Sequence, residues 1–148
     1  DQRFPDPSVD DFKKGLRENG DAHSELLADR LDDGTIKEIQ IGTDEEFDQV
    51  ARTLGHENPE DIRALKYPFG VMLRKSSQTK LSDFVHEGSH LRDAGELGEA
   101  SFDGTAREEE IRAWSRENEW RKSKGWEPHF DSRDELVNFV DEEYDFDE

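Results

Sequence analysis

The chain has 148 residues, 39 acidic against 20 basic, for a formal charge of −19 and a pI near 4.5. Only 30% of it is hydrophobic, well below the roughly 45–50% of ordinary globular domains, so one domain with a thin core is expected. The lack of cysteine excludes disulfides and thiolate metal sites, and no apolar run approaches the roughly 20 residues that span a bilayer.

Pro5-Asp6-Pro7 reads as an extended lead-in, with Ser8 capping a short helix that carries Asp11, Phe12 and Leu16 and stops at Asn19-Gly20. Residues 1–20 are therefore set apart from a single domain over 21–140. A second helix is predicted from Ala22 to Asp32, with Leu26, Leu27 and Leu31 at helical spacing. After the Asp33-Gly34 turn, Ile36, Ile39 and Ile41 predict a short strand over 35–41. Thr43 and Glu46 form a capping box for a helix with Phe47, Val50, Ala51 and Leu54 on one face. Asn58-Pro59 opens a short helix through Ile62 and Leu65, and the apolar run 67–74 reads as one strand.

Ser82 is the predicted cap of the next helix, which has Phe84, Val85 and Leu91 on its apolar side; the glycine-bearing stretch 94–104 is a loop. Thr105 caps a long helix from Ala106 to about Lys124, with Ile111, Trp114 and Trp120 facing inward. Trp126-Glu127-Pro128 is a break. Ser132 and Glu135 then make a capping box for a last helix carrying Leu136, Val137, Phe139 and Val140, and residues 141–148 form an acidic tail. These elements predict an α+β, mostly helical fold with a small sheet.

The chemistry-bearing stretch is His86-Glu87-Gly88-Ser89-His90, an HExxH pattern. On a helix, residues four apart share a face, so His86 and His90 offer two imidazole nitrogens to one metal ion. Glu87 stands at the edge of that face, in reach of a water acidified by the ion, as a general base. Gly88 costs about 1 kcal/mol against alanine in a helix interior, which predicts a close neighbour there. A tetrahedral zinc site needs a third ligand and one open position. Glu110 in the 105–124 helix has the best spacing; Glu108, Glu109, Glu117 and Asp93 remain alternatives. Asp93 is either an acceptor that orients a ligand histidine or a helix-end residue, and Glu117 is read as a surface partner of Arg121. Tyr67, His129 and Tyr144 are candidates for stabilising an oxyanion, His129 first among them because it follows the ligand-bearing helix.

The pattern His86-Glu87-x-x-His90-x-x-Asp93, followed by Glu110-Ile111-Arg112-Ala113-Trp114, resembles the zincin metallopeptidases with a glutamate third ligand. More narrowly it resembles the small metallopeptidase domains at the C-termini of bacterial polymorphic toxins, including Rhs-type and type VI secretion effectors. The resemblance covers residues 67–124 at most. It implies one Zn2+ per chain on His86, His90 and Glu110, with Glu87 as base, a minimal zincin-like fold and a protein substrate. It also implies a secreted effector delivered into a target cell, with a cognate immunity protein that covers the cleft, and a monomer as an isolated domain. The sequence begins at Asp1-Gln2-Arg3-Phe4-Pro5, without a signal-peptide pattern, and reads as a piece of a longer polypeptide.

A charge of −19 repels phosphate backbones, which argues against nucleic acid as a partner. The same charge supports a rival reading, an acidic interaction module that occupies a basic partner as an inhibitor, immunity protein or nucleic-acid mimic. A zinc hydrolase acting on a bond other than a peptide is a third.

Overall fold

Capping chemistry sets most of the helix boundaries. In the computed structural model, which describes residues 9–59, 62, 64–67, 70–77, 79–99 and 101–144, α1 (Val9–Asn19) and α2 (Ala22–Asp32) form an antiparallel pair. They are followed by β1 (Glu38–Gly42), α3 (Asp44–Thr53), β2 (Ala64–Tyr67), β3 (Gly70–Arg74), α4 (Lys80–Asp93), α5 (Ala106–Ser123) and α6 (Arg133–Glu143). The arrangement is α+β and mostly helical. Both side chains of the capping box are in place at Thr43/Glu46 and at Thr105/Glu108, and Ser132 accepts from the Glu135 amide. None of the described helices is long and apolar enough to cross a membrane.

The sheet has the order β1-β3-β2, with β1 parallel and β2 antiparallel to β3. The apolar run expected as one strand is thus divided: Tyr67 closes β2 and pairs with Gly70, which opens β3, while residues 68 and 69 lie outside the described set. Gly70 has a steric reason, since a Cβ there would collide with the carbonyl of Glu38 on β1. Leu65, expected on a short helix, is a buried residue of β2 facing Met72. Every residue of β3 is buried, Arg74 included. Its guanidinium donates to the carbonyls of Pro59 and Ile62 and to the carboxylates of Asp44 and Asp48, and lies 4.1 Å over the Phe47 ring. One buried cation therefore ties β3 to α3 and to the segment before β2.

The main core joins Phe12 and Leu16 of α1 with Leu27 of α2, Leu73 of β3, Phe84 and Val85 of α4, and Trp120 of α5. Phe12 meets Phe84 edge-on at 5.6 Å, so α1, set apart in the sequence reading, packs as part of the same core. A second cluster sits under α3, and a third joins Ile111 to Leu136 and Val140 of α6. The close neighbour expected at Gly88 is Leu27, whose Cδ2 would stand 2.5 Å from a Cβ.

Two further boundaries differ. α4 starts at Lys80 with Thr79 in the cap position, and Ser82 lies inside the helix, fully buried. The segment before α4 is tied instead to Asp83, whose carboxylate accepts from the hydroxyls of Ser77 (2.6 Å) and Thr79 (3.4 Å). At the other end α6 runs on to Glu143, so helix covers the first three residues assigned to the tail. The expected lead-in, the Ser8 cap and residues 145–148 lie outside the described residues.

Candidate metal centre

His86 and His90 lie one turn apart on α4, and Glu110 faces them from the first third of α5. His90 Nε2 is 3.2 Å from one oxygen of Glu110 and His86 Nε2 is 3.7 Å from the other. One ligand atom from each of the three residues lies within 4.8 Å of the others, so the group can hold a metal ion. A tetrahedral ion with bonds of about 2.1 Å places its ligand atoms about 3.4 Å apart, close to both measured separations. Glu110 Oε1 is buried and has no hydrogen-bond partner, an arrangement that costs free energy unless something else engages it.

The electrostatics of the pocket favour positive charge. Burial works against a charged His86, yet the adjoining Glu110 and Glu117 carboxylates outweigh it and raise its pKa above the ordinary value. Glu110 is held below the usual carboxylate range in spite of its own burial, because it faces both imidazoles. A bound cation satisfies the same field.

The sequence alternatives to Glu110 are placed elsewhere. Glu108 is the capping-box partner of Thr105, and Glu109 is not among the residues that converge. Asp93 is buried and orients no ligand histidine: it takes a two-pronged pair from Arg112 (3.0 and 3.1 Å) and a third contact from Arg116 (3.2 Å). These arginines lower its pKa against the effect of burial, and the network clamps α4 to α5 at the end next to His90.

Glu117, read from sequence as a surface partner of Arg121, is fully buried. Its Oε1 accepts from His86 Nδ1 at 3.0 Å, while Oε2 accepts from His129 Nε2 at 2.6 Å and from the Ser82 hydroxyl. A carboxylate on Nδ1 leaves Nε2 as the nitrogen that could meet an ion, and holds the ring in its plane. His129, the first candidate for an oxyanion donor, therefore spends its Nε2 on the carboxylate behind His86. The sequence signal for Glu117 was its seven-residue spacing from Glu110, which sets both on one stripe of α5.

A cleft of about 400 Å³ opens beside the triad, lined by His86 and Glu87 of α4, Trp114 of α5, and Phe139, Glu143 and Tyr144 at the end of α6. Burial pushes the Glu87 carboxyl up, against the pull of His86 and His90. Trp114 holds this wall together: its ring meets His86 at 4.5 Å and Phe139 at 5.2 Å, and its Nε1 donates to the Tyr144 hydroxyl at 3.2 Å. Burial and Glu110 push the Tyr144 pKa up, so the phenol stays protonated and able to donate. Tyr144 is thus the oxyanion-donor candidate that lines the cleft; the side chain of Tyr67 lies outside the described set.

β3 is paired on both sides and offers no edge on which an extended substrate could add a strand. β2 is the edge strand on the side of the cleft, which Ala64 lines. No family model, curated protein or solved structure matches this chain. The chemistry assigned to the site is therefore carried by its geometry.

Proposed function

We propose that the chain is a zinc-dependent metallopeptidase. The observation that carries this reading is the convergence of ligand atoms of His86, His90 and Glu110 within 4.8 Å of one another, with a buried Glu110 oxygen that has no hydrogen-bond partner and Glu87 on the adjoining cleft. Two imidazoles and one carboxylate form a donor set that suits zinc and leaves a position open. When bound, such an ion supplies a Lewis acid that polarises a carbonyl and acidifies a water.

The protein groups divide the remaining work. Glu87, whose burial raises its proton affinity, takes the proton of the attacking water and passes it to the departing amine. The Tyr144 hydroxyl donates to the oxygen that gains charge at the carbonyl. Glu117, backed by Ser82 and His129, keeps His86 in register. The free edge of β2 accepts an extended peptide by adding a strand. Delivery into a target cell, and an immunity protein over the cleft, belong to the same proposal and are supported by the resemblance of the two-helix pattern.

Elemental analysis and peptide hydrolysis test the reading together. One zinc per chain is expected in the wild type and in Glu87→Gln, and none in His90→Ala. Hydrolysis should be lost in both variants and in chelator, returning with zinc in the wild type only. A wild type that takes up no metal would overturn the proposal and leave the acidic interaction module as the better account of the −19 charge.

A further inference from the structure

On the stripe of α5 opposite Glu110 and Glu117, Ser115, Arg116, Trp120 and Ser123 face the turn between α1 and α2 across a cavity of about 200 Å³. Asn19 and Asp21 line its other side, with Gly20 at φ +74° reversing the chain between them. Every lining residue is flanked in the chain by described residues. An apolar cavity of about 150 Å³ takes a benzene ring, so this one has room for a small organic molecule.

Two donors in its wall are unused. Trp120 is 2% exposed, and its indole N–H is buried with no hydrogen-bond partner, which costs free energy unless an acceptor engages it. The Arg116 guanidinium makes both of its hydrogen bonds through Nη1, to the Ser89 hydroxyl (2.7 Å) and the Asp93 carboxylate (3.2 Å). Its Nε and Nη2 donate to no described residue. That pair is the side-on edge of the fork, an edge that takes a carboxylate with two parallel bonds. Burial, together with the charges of Arg112 and Arg92, lowers the Arg116 pKa in spite of Asp93, so an added anion relieves the cation.

The other polar groups of the wall are committed. Asp21 caps α2 through the Ser24 amide and accepts from Asn19, and its charge stands at the positive end of that helix. His23 is taken up by the Val85 carbonyl and Arg92. Glu119 stands mostly in solvent, 3.6 Å from the Lys122 ammonium.

We propose that this cavity is a second ligand site, taking a small organic acid whose carboxylate is held by Arg116, with the Trp120 N–H as a further donor and the apolar body in the space between the helices. A phosphate dianion lacks the apolar body and carries more charge into a chain of −19. The site stands apart from the metal centre and does not depend on the metallopeptidase reading.

The test titrates metal-free, 15N-labelled protein with benzoate, its neutral isostere benzamide and inorganic phosphate. The three indole N–H signals, assigned with Trp→Phe variants, are followed by NMR. Benzoate should shift the Trp120 signal saturably, with a Kd of about 1 mM or tighter, and move the Trp114 and Trp126 signals less. Benzamide and phosphate should bind the wild type at least about tenfold more weakly, as should benzoate the Arg116→Gln protein. Arg116 also holds Asp93, so a second variant guards against a folding defect: Trp120→Phe keeps the aromatic packing, loses only the N–H, and should weaken benzoate severalfold by calorimetry. No saturable shift, equal affinity for benzoate and either control, wild-type affinity in both variants, or shifts centred on Trp114 overturn the assignment.

Discussion

A carboxylate removed from water is costly unless its lone pairs are used, and Glu117 uses them on Ser82, His86 and His129. Replacing it by glutamine puts an amide NH2 against one or more of these donors and frees the His86 ring. Zinc affinity should fall about 10–100-fold in Glu117→Gln, measured by competition with a chromophoric chelator. His129→Ala should act in the same direction through Glu117, with a smaller loss. The two histidines and Glu87 were legible in the sequence because i and i+4 on a helix fix their relation without knowledge of the fold. Glu117 was not, because a glutamate on a charge-rich helix has the same local pattern whether it faces water or a buried imidazole; only the rotation of α5 against α4 decides. His23 was equally silent. It is buried, with Nε2 on the Val85 carbonyl (3.1 Å) and Nδ1 near Arg92, and burial holds its pKa at about 4. Above about pH 6.5 it is neutral in both folded and unfolded chains; as pH falls toward 4 only the unfolded chain gains the proton, so stability is lost through that window. The loss attributable to this residue is about 3 kcal/mol. Urea midpoints from pH 7 to pH 4 should therefore fall more steeply in the wild type than in His23→Gln.

The helix pair α4–α5 is the element that turns separate residues into a site. Asp93 clamps one end through Arg112 and Arg116, and Glu117 bridges the helices at His86. On the opposite side of α4, Gly88 lets α2 approach through Leu27. Alanine there gains about 1 kcal/mol of helix preference but drives a methyl into a fully buried leucine, which typically costs 1–3 kcal/mol. Gly88→Ala should lower the Tm by several degrees, and Leu27→Ala should cost less in the Gly88→Ala background than in the wild type, because the added methyl fills part of the space the leucine leaves. The caps at Thr43 and Thr105 were readable because a capping box is closed within four residues. The β2–β3 division and the start of α4 were not. The first depends on the parallel approach of β1 to Gly70, and the second on Asp83 holding Ser77, contacts that no local window contains.

At the scale of the whole molecule, the −19 charge is spread over a chain whose core is split into three clusters. The exposed ion pairs, such as Arg17 with Glu25, Asp29 and Asp32, add little against self-repulsion of that size. Raising NaCl from 0.05 to 0.5 M, about 14 to 4 Å in screening length, should therefore raise the Tm, as scanning calorimetry would record. An unchanged or lowered Tm would mean that the paired charges outweigh the excess. The thin core and helical content followed from composition and periodicity; the position of α6 did not, since it is set by aromatic contacts between Trp114, Phe130 and Phe139. Those contacts have an optical consequence. Trp114 lies against the His86 imidazole, whereas Trp120 and Trp126 meet edge-to-face with ring centres 5.1 Å apart. If the triad takes up an ion as proposed, indole emission from Trp114 should report it in a stopped-flow trace without any label, and the signal should be lost in Trp114→Phe.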